Sequence, residues 1–316
     1  MKGRGRSPIL LVVIRIACAT LCLALSAAGC GDEPLPVAAP EPGGAFAVAW
    51  ARRQQVLGDV AEAPLVDVLF GARIVRHGGM DRTTVAEVLE LSAFETDDVA
   101  PGECSDPVTA ASLEDVGGVE SGAFVELVDV GAIVFHGTDV RGAGAIRLEP
   151  RSFPDLLSVV SGVVYAQDAE GSSMAAGAEI SFAARGGAGV GFLEATAIVP
   201  EEIAGLRVGR QDPLFGAPVL TRGADLEVAW DAGAAGNEVR IELGWLEPAG
   251  PVVVSCRAMD DGEFVVPGSR TRLVPELGST DLSLTVRRVR RSAIAASGLD
   301  EGTLVVEQSV TFAVRL

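Results

Sequence analysis

Two hydrophobic patterns divide the chain. From Ile9 to Ala28 it is apolar almost without a break, Arg15 being the only charge, whereas beyond Gly44 apolar residues come in short runs alternating with polar ones. The first pattern is that of a segment read by an export machinery or inserted in a bilayer; the second has the period of two expected of strands with one buried face. The alternation is clearest in the last hundred residues. Leu226, Val228 and Trp230 form one set, and Val239, Ile241, Leu243 and Trp245 the next, joined by the loop DAGAAGN. Further runs at 252–256, 264–266, 282–286, 304–306 and 310–316 bring the number to seven short strands with turn signals between them. That density predicts an immunoglobulin-like or fibronectin-like β-sandwich over 216–316.

The region 45–210 carries weaker alternation, at Phe46, Val48 and Trp50, at Val66, Val68 and Phe70, and around 124–135, with glycine-rich turns GARIVRHGG, VGGVESG and GTDVRGAG between the runs. It reads as a second β-rich domain of unspecified type, so the fold class expected is all-β. The segment TVAEVLEL at 84–91 fits a helix capped by a Thr84–Glu87 box, but also fits a strand through Val85, Glu87, Leu89 and Leu91; the strand is the expectation. Residues 200–218, broken by Pro200, Pro213 and Pro218, read as a connection between domains.

Ahead of these lies the leader. Lys2, Arg4 and Arg6 precede the apolar run, which closes on Ala27, Ala28 and Gly29 before Cys30 in LSAAGCGDE. This order of basic start, apolar middle and small-residue end is that of a secretory signal. The small-small-Cys ending resembles the lipobox of bacterial lipoproteins, departing from it at Ala27, where that family favours leucine. The resemblance implies a signal peptide over 1–29 and lipidation of Cys30 as the first residue of the mature chain. Several acyl chains hold a protein to a bilayer stably where one does so only marginally. Gly31 rather than an acid follows the cysteine, which by the same resemblance points to the outer membrane, facing the periplasm or the cell surface. The segment 30–44, with EPLPVAAPEPGG, then suits an extended tether.

The combination of DLEVAW, SCRAMDDGEFVVP and LTVRRVR with a terminal alternating strand resembles the C-terminal domain of uncharacterised lipoproteins of myxobacterial type. It covers about a third of the chain and implies fold and location, not activity.

Charge narrows the partners. The whole chain carries −18; the leader takes four of the 25 basic residues and none of the 43 acidic ones, leaving about −22 on the remainder. Such a surface repels nucleic acid. The membrane, through the lipid anchor, is one expected partner, and an envelope protein or glycan the other. Beyond Cys30 only Cys104 and Cys256 remain. An oxidising envelope permits a bridge between them, which would tie the halves of the chain together; two separate thiols are the other arrangement the sequence allows.

Chemical motifs are sparse. His77 and His136 are the only histidines, and no HExxH, paired CxxC, GxSxG or GxxxxGK[ST] occurs, so no metal, cofactor or catalytic residue is expected. His136, Asp139 and a serine are the raw material for an unfamiliar hydrolase. The acidic pairs Asp97–Asp98, Glu201–Glu202 and Asp260–Asp261 read as solvated turns; calcium at Asp260 is the sharper alternative. The run RRVRR at 287–291 could grip an anionic group, but a strand leaving the core, or a bulge turning Val289 inward, explains it without a ligand. The expected function is a non-catalytic binding, presentation or structural module held at a membrane. An unrecognised hydrolase or a calcium-dependent adhesion module is the alternative.

Overall fold

The computed structural model describes residues 43–58, 64–89, 91, 99–109, 122–137, 144–153, 160–169, 174–248, 250–275 and 282–316. The leader, Cys30, the tether up to Pro42, Asp97, Asp98 and Asp139 lie outside these residues. Among the described residues the secondary structure is mostly strand, and no helix is long and apolar enough to cross a membrane.

In chain order the strands are β1 (Gly44–Leu57), β2 (Leu65–Gly78), β3 (Val108–Thr109), β4 (Phe124–Leu127), β5 (Ile133–Gly137), β6 (Ala145–Leu148), β7 (Arg151–Ser152), β8 (Val160–Asp168), β9 (Glu179–Ala184), β10 (Leu193–Ile198) and β11 (Arg207–Val208). They continue as β12 (Leu226–Ala229), β13 (Glu238–Glu247), β14 (Gly250–Met259), β15 (Glu263–Val266), β16 (Ser283–Ala293) and β17 (Glu301–Ala313). Helix α1 is Arg82–Val88 and α2 is Gly268–Thr271. One long sheet has the order β3-β14-β13-β16-β17-β1-β2-β4-β8-β7; two smaller sheets have the orders β10-β9-β5-β6 and β11-β12-β15.

The two expected β-rich regions share the long sheet. β1 lies between β2 and β17, antiparallel to the first and parallel to the second, with Phe46 opposite Glu301 and Leu57 opposite Phe312. Glu41–Leu316 forms one compact unit. One face of the long sheet carries two apolar clusters. Ala47, Ala49, Ala51, Phe70, Ile74, Leu304 and Val306 pack against Phe135, Phe182 and Leu193 of the four-stranded sheet. Farther along, Ile241, Leu243, Val254, Val286, Val310 and Phe312 pack against Val208, Val228 and Val266 of the three-stranded sheet.

Between these clusters the same face turns polar along one row: Arg288 opposite Gln308, and Gln308 opposite Arg53. This row explains a misread strand. The sequence pattern separates 304–306 from 310–316 because Glu307, Gln308 and Ser309 interrupt the apolar run. All three are buried, and the backbone runs straight through as the thirteen-residue β17. The stretch 200–218, expected as a connection, contains the short strand β11, and Leu206 and Val208 there are buried in the second cluster.

The opposite face of the long sheet is covered over β1, β2 and β4 by α1, correcting the strand expected at 84–91. Asp81, not Thr84, starts the helix: its carboxylate accepts from the Thr84 amide at 2.9 Å, satisfying a first-turn donor. Val85 and Ala86 then face Phe46, Val48 and Val75. The side-chain bond from Thr84 to Asp81 at 2.6 Å spends the hydroxyl that the expected capping box required. Thr84 and the Thr84 amide together hold the Asp81 carboxyl below its usual range.

Candidate functional site

The outer face of the β10-β9-β5-β6 sheet holds a hollow of about 400 Å³. Its residues follow from strict alternation. In β9, Ile180, Phe182 and Ala184 point into the core, leaving Ser181 and Ala183 outside; in β5, Ile133 and Phe135 point inward and Val134 and His136 outward. Register sets these residues in rows. Arg147, Val134, Ala183 and Glu194 are successive neighbours across the sheet, and Ala145, His136, Ser181 and Thr196 form the next row. Val134, Ala183 and Ala132 make a shallow floor of small side chains, with His136, Arg147, Arg185 and Phe192 around it. The floor is backed by tilted, edge-on rings, Phe135 lying 5.1 Å from Phe70 and 5.4 Å from Phe182, centroid to centroid.

Arg185 and Phe192 are set by the hairpin that joins β9 to β10. Gly187 and Val190 exchange two backbone hydrogen bonds of 2.9 Å around Ala188 and Gly189, both with positive φ (48° and 88°), the geometry of a two-residue hairpin turn. Ala188 is the only described non-glycine residue with positive φ, and its carbonyl accepts from the Arg76 guanidinium. Phe192 is left 54% exposed. Arg147 donates to its own neighbour Glu149 at 2.5 Å, both side chains exposed. Among the described residues Arg185 makes no ion pair or hydrogen bond. The arrangement therefore offers an open guanidinium, a second one lightly engaged, an imidazole and a ring face.

His77 sits elsewhere, on β2, buried with its Nδ1 3.0 Å from the Met80 carbonyl oxygen and its ring edge-on to Phe46. The structure thus does not bring the two histidines together. Ser181 is the cross-strand partner of His136.

Of the described acidic pairs only Asp260 turns its carboxylate inward; Glu202 and Asp261 are exposed. Asp260 is 3% exposed and accepts from Trp230 Nε1 at 2.8 Å while pairing with Arg288 at 2.8 Å, so its oxygens are already engaged. Glu201 accepts from the Asn237 amide at 3.0 Å, and Glu202 pairs with Arg53 at 3.2 Å. The basic run is absorbed in the same way. Arg287 is bridged by Glu242 and Glu307; Arg288, 1% exposed, also donates to the carbonyls of Glu201, Glu202 and Asp231; Arg290 reaches the Ala235 carbonyl, and Arg291 pairs with Glu238. No bulge turns Val289 inward. β16 runs in unbroken register with β17, and Val289 is buried on the opposite face, beside Val305.

Burial opposes ionisation of Glu307, but Arg287 and Arg52 outweigh it and hold the carboxyl below its usual range. Burial pushes the Tyr165 hydroxyl well up, and it stays protonated, donating to Asp129 at 3.1 Å and accepting from the Val130 amide at 3.0 Å.

Cys104 and Cys256 are joined by a disulfide, with Cα atoms 3.9 Å apart. The Arg257 amide donates to Glu103 and the Ser105 amide to Ser255, on either side of the pair. The bridge thus fixes a short stretch of chain, continued by β3, along the edge of β14.

Sequence reasoning picked out His136 but not Arg147, on β6, or Arg185 and Phe192, at the two ends of the β9–β10 hairpin. The available signal was outward parity: in EISFAAR the arginine falls on the same face as Ser181 and Ala183. No protein-family model matches this chain, and no curated protein matches it.

Proposed function

We propose that this is a lipid-anchored envelope protein that displays a β-rich, non-catalytic binding unit away from a membrane surface. The observation that carries the reading is the order of features in 1–44: basic start, apolar run, Ala-Ala-Gly-Cys, then a Pro-rich segment ending in two glycines. β1 begins at Gly44, so the 13 residues between Cys30 and Gly44 could hold the unit up to about 45 Å from the lipid if fully extended. Gly43 and Gly44 suit the entry. A Cβ on Gly43 would come within 2.6 Å of the His77 carbonyl oxygen, and one on Gly44 within 3.0 Å of the His77 ring.

The immunoglobulin- or fibronectin-like sandwich belongs to the same proposal. Taking β11 to β17 as seven strands, the second pairs with the fifth-placed β15 and the third lies beside the sixth-placed β16, in sheets of three and four. Those are the neighbour relations of that class of sandwich. Such a scaffold serves many functions, so binding is argued from the hollow and not from the fold. The outer membrane, and a relationship to lipoproteins of myxobacterial type, complete the proposal.

The test is fractionation of cells that express the chain with Cys30→Ala. Release of the protein from the membrane fraction is the expected result; undiminished membrane association would overturn the anchor.

A further inference from the structure

We propose that the hollow on the outer face of the β10-β9-β5-β6 sheet binds a uronic-acid residue of an acidic glycan. This deepens the reading of a binding unit and rests on that reading, but not on the lipid anchor.

The hollow asks for one negative charge. Arg185 presents an exposed guanidinium with no partner among the described residues, while other arginines, such as Arg287 and Arg288, are spent on internal carboxylates. A guanidinium fork matches a carboxylate in a bidentate pair. Arg147, also lining the hollow, holds only the exposed Glu149 among the described residues.

The hollow also asks for a flat ring. Ala132, Val134 and Ala183 are too small to fill the space above the sheet, and Phe192 stands exposed at the side. The C–H face of a pyranose can rest on such a floor and against such a ring, burying apolar area on both. Because the floor belongs to interior strands backed by Phe135 and Phe182, it is formed before any ligand arrives.

Hydroxyl groups would find a partner in His136 on the rim and others just beyond it: Ser181 and Thr196 continue the cross-strand row of His136, Glu194 ends the row of Val134 and Ala183, and Glu149 is held by the lining Arg147. Those two carboxylates decide between anions. A phosphate-rich or densely sulfated ligand would meet them, and the −18 charge of the chain, with repulsion; a sugar carrying one carboxylate among neutral hydroxyls would use them as acceptors. A peptide docking by main-chain bonds is disfavoured because β5 and β9 are each paired on both sides and have no free edge here.

The experiment is saturation-transfer NMR with titration calorimetry on the full-length chain in detergent, using glucuronate and galacturonate. Their methyl esters, glucose, inorganic phosphate and a Glu-rich peptide complete the set. The expected result is binding of a uronate, weakened about 10–100-fold by Arg185→Met, the loss that goes with one charged hydrogen-bonding partner. Methyl esterification should weaken it likewise. Ala183→Trp, which fills the floor, should abolish binding with the circular dichroism spectrum unchanged, and Arg210→Met, removing an exposed charge of β11's turn, should leave it intact.

Equal binding of the ester or of glucose, indifference to Arg185→Met, or no uronate binding at all would overturn the proposal. Arg185-dependent binding of phosphate or of the peptide alone would overturn the sugar while sparing the binding surface. The anchor is judged separately, by Cys30→Ala.

Discussion

Glu307→Gln is a sharp test of how the long sheet is held together. Glu307 is buried at the middle of β17, where it meets Arg52 from β1, its register partner, and Arg287 from β16 at 2.9 Å. Arg287 keeps Glu242 at 2.8 Å in the variant, but the ionic bridge to β1 is lost. Removing one partner of a buried ion pair costs about 3–5 kcal/mol, and the residual exposure of Arg52 and Arg287 places this case near about 3 kcal/mol. The pH dependence carries the sign. The folded carboxyl lies below its unfolded value of about 4.3, so the stabilisation is complete above that value and is lost as pH falls through the folded pKa. Urea unfolding of both proteins at pH 7, 5, 4 and 3.5 should therefore show a difference that is largest at pH 7 and shrinks in the acid range. A difference under about 1 kcal/mol at pH 7, or one that stays constant down to pH 3.5, would refute the reasoning.

Three further outcomes are expected. Ala188→Gly relieves a left-handed alanine in the β9–β10 turn and should stabilise by about 0.5–1 kcal/mol in urea, the gain being partly offset by the entropy of glycine; destabilisation would contradict the turn geometry. Tyr165→Phe leaves the Val130 amide without its acceptor and should cost about 1–3 kcal/mol in the same assay, whereas a neutral result would mean that the hydroxyl is dispensable. Replacing Cys104 and Cys256 by serine should lower stability by about 2–5 kcal/mol and speed amide exchange in β3, since the bridge spans 152 residues of sequence; free thiols at both positions in non-reducing peptide maps would remove its basis.

The sequence made visible those strands whose two faces differ. In β13, Val239, Ile241, Leu243 and Trp245 all enter the core, and alternation finds them directly. It failed where both faces are buried or where a buried residue is polar. β1 buries Ala47, Ala49 and Ala51 on one face and Phe46 and Val48 on the other, so the alternating large residues read from the sequence belong to the side beneath α1. Glu307, Gln308 and Ser309 divide the apolar pattern in two because the arginines that neutralise Glu307 lie in other strands, Arg52 being 255 residues away in the chain. The parallel pairing of β1 with β17 leaves no local mark at all. In the candidate site, Arg147 on β6 and Arg185 and Phe192 at the ends of the β9–β10 hairpin are isolated outward residues, and only cross-strand register brings them round one hollow with His136.

In the proposed anchor, Cys30 begins the mature protein and carries lipid. Intact-mass spectrometry of protein purified from membranes reads it directly. The expected result is a chain starting at Cys30 with the added mass of acyl groups on that residue; an unmodified Cys30 in a chain that retains Met1 would contradict the anchor.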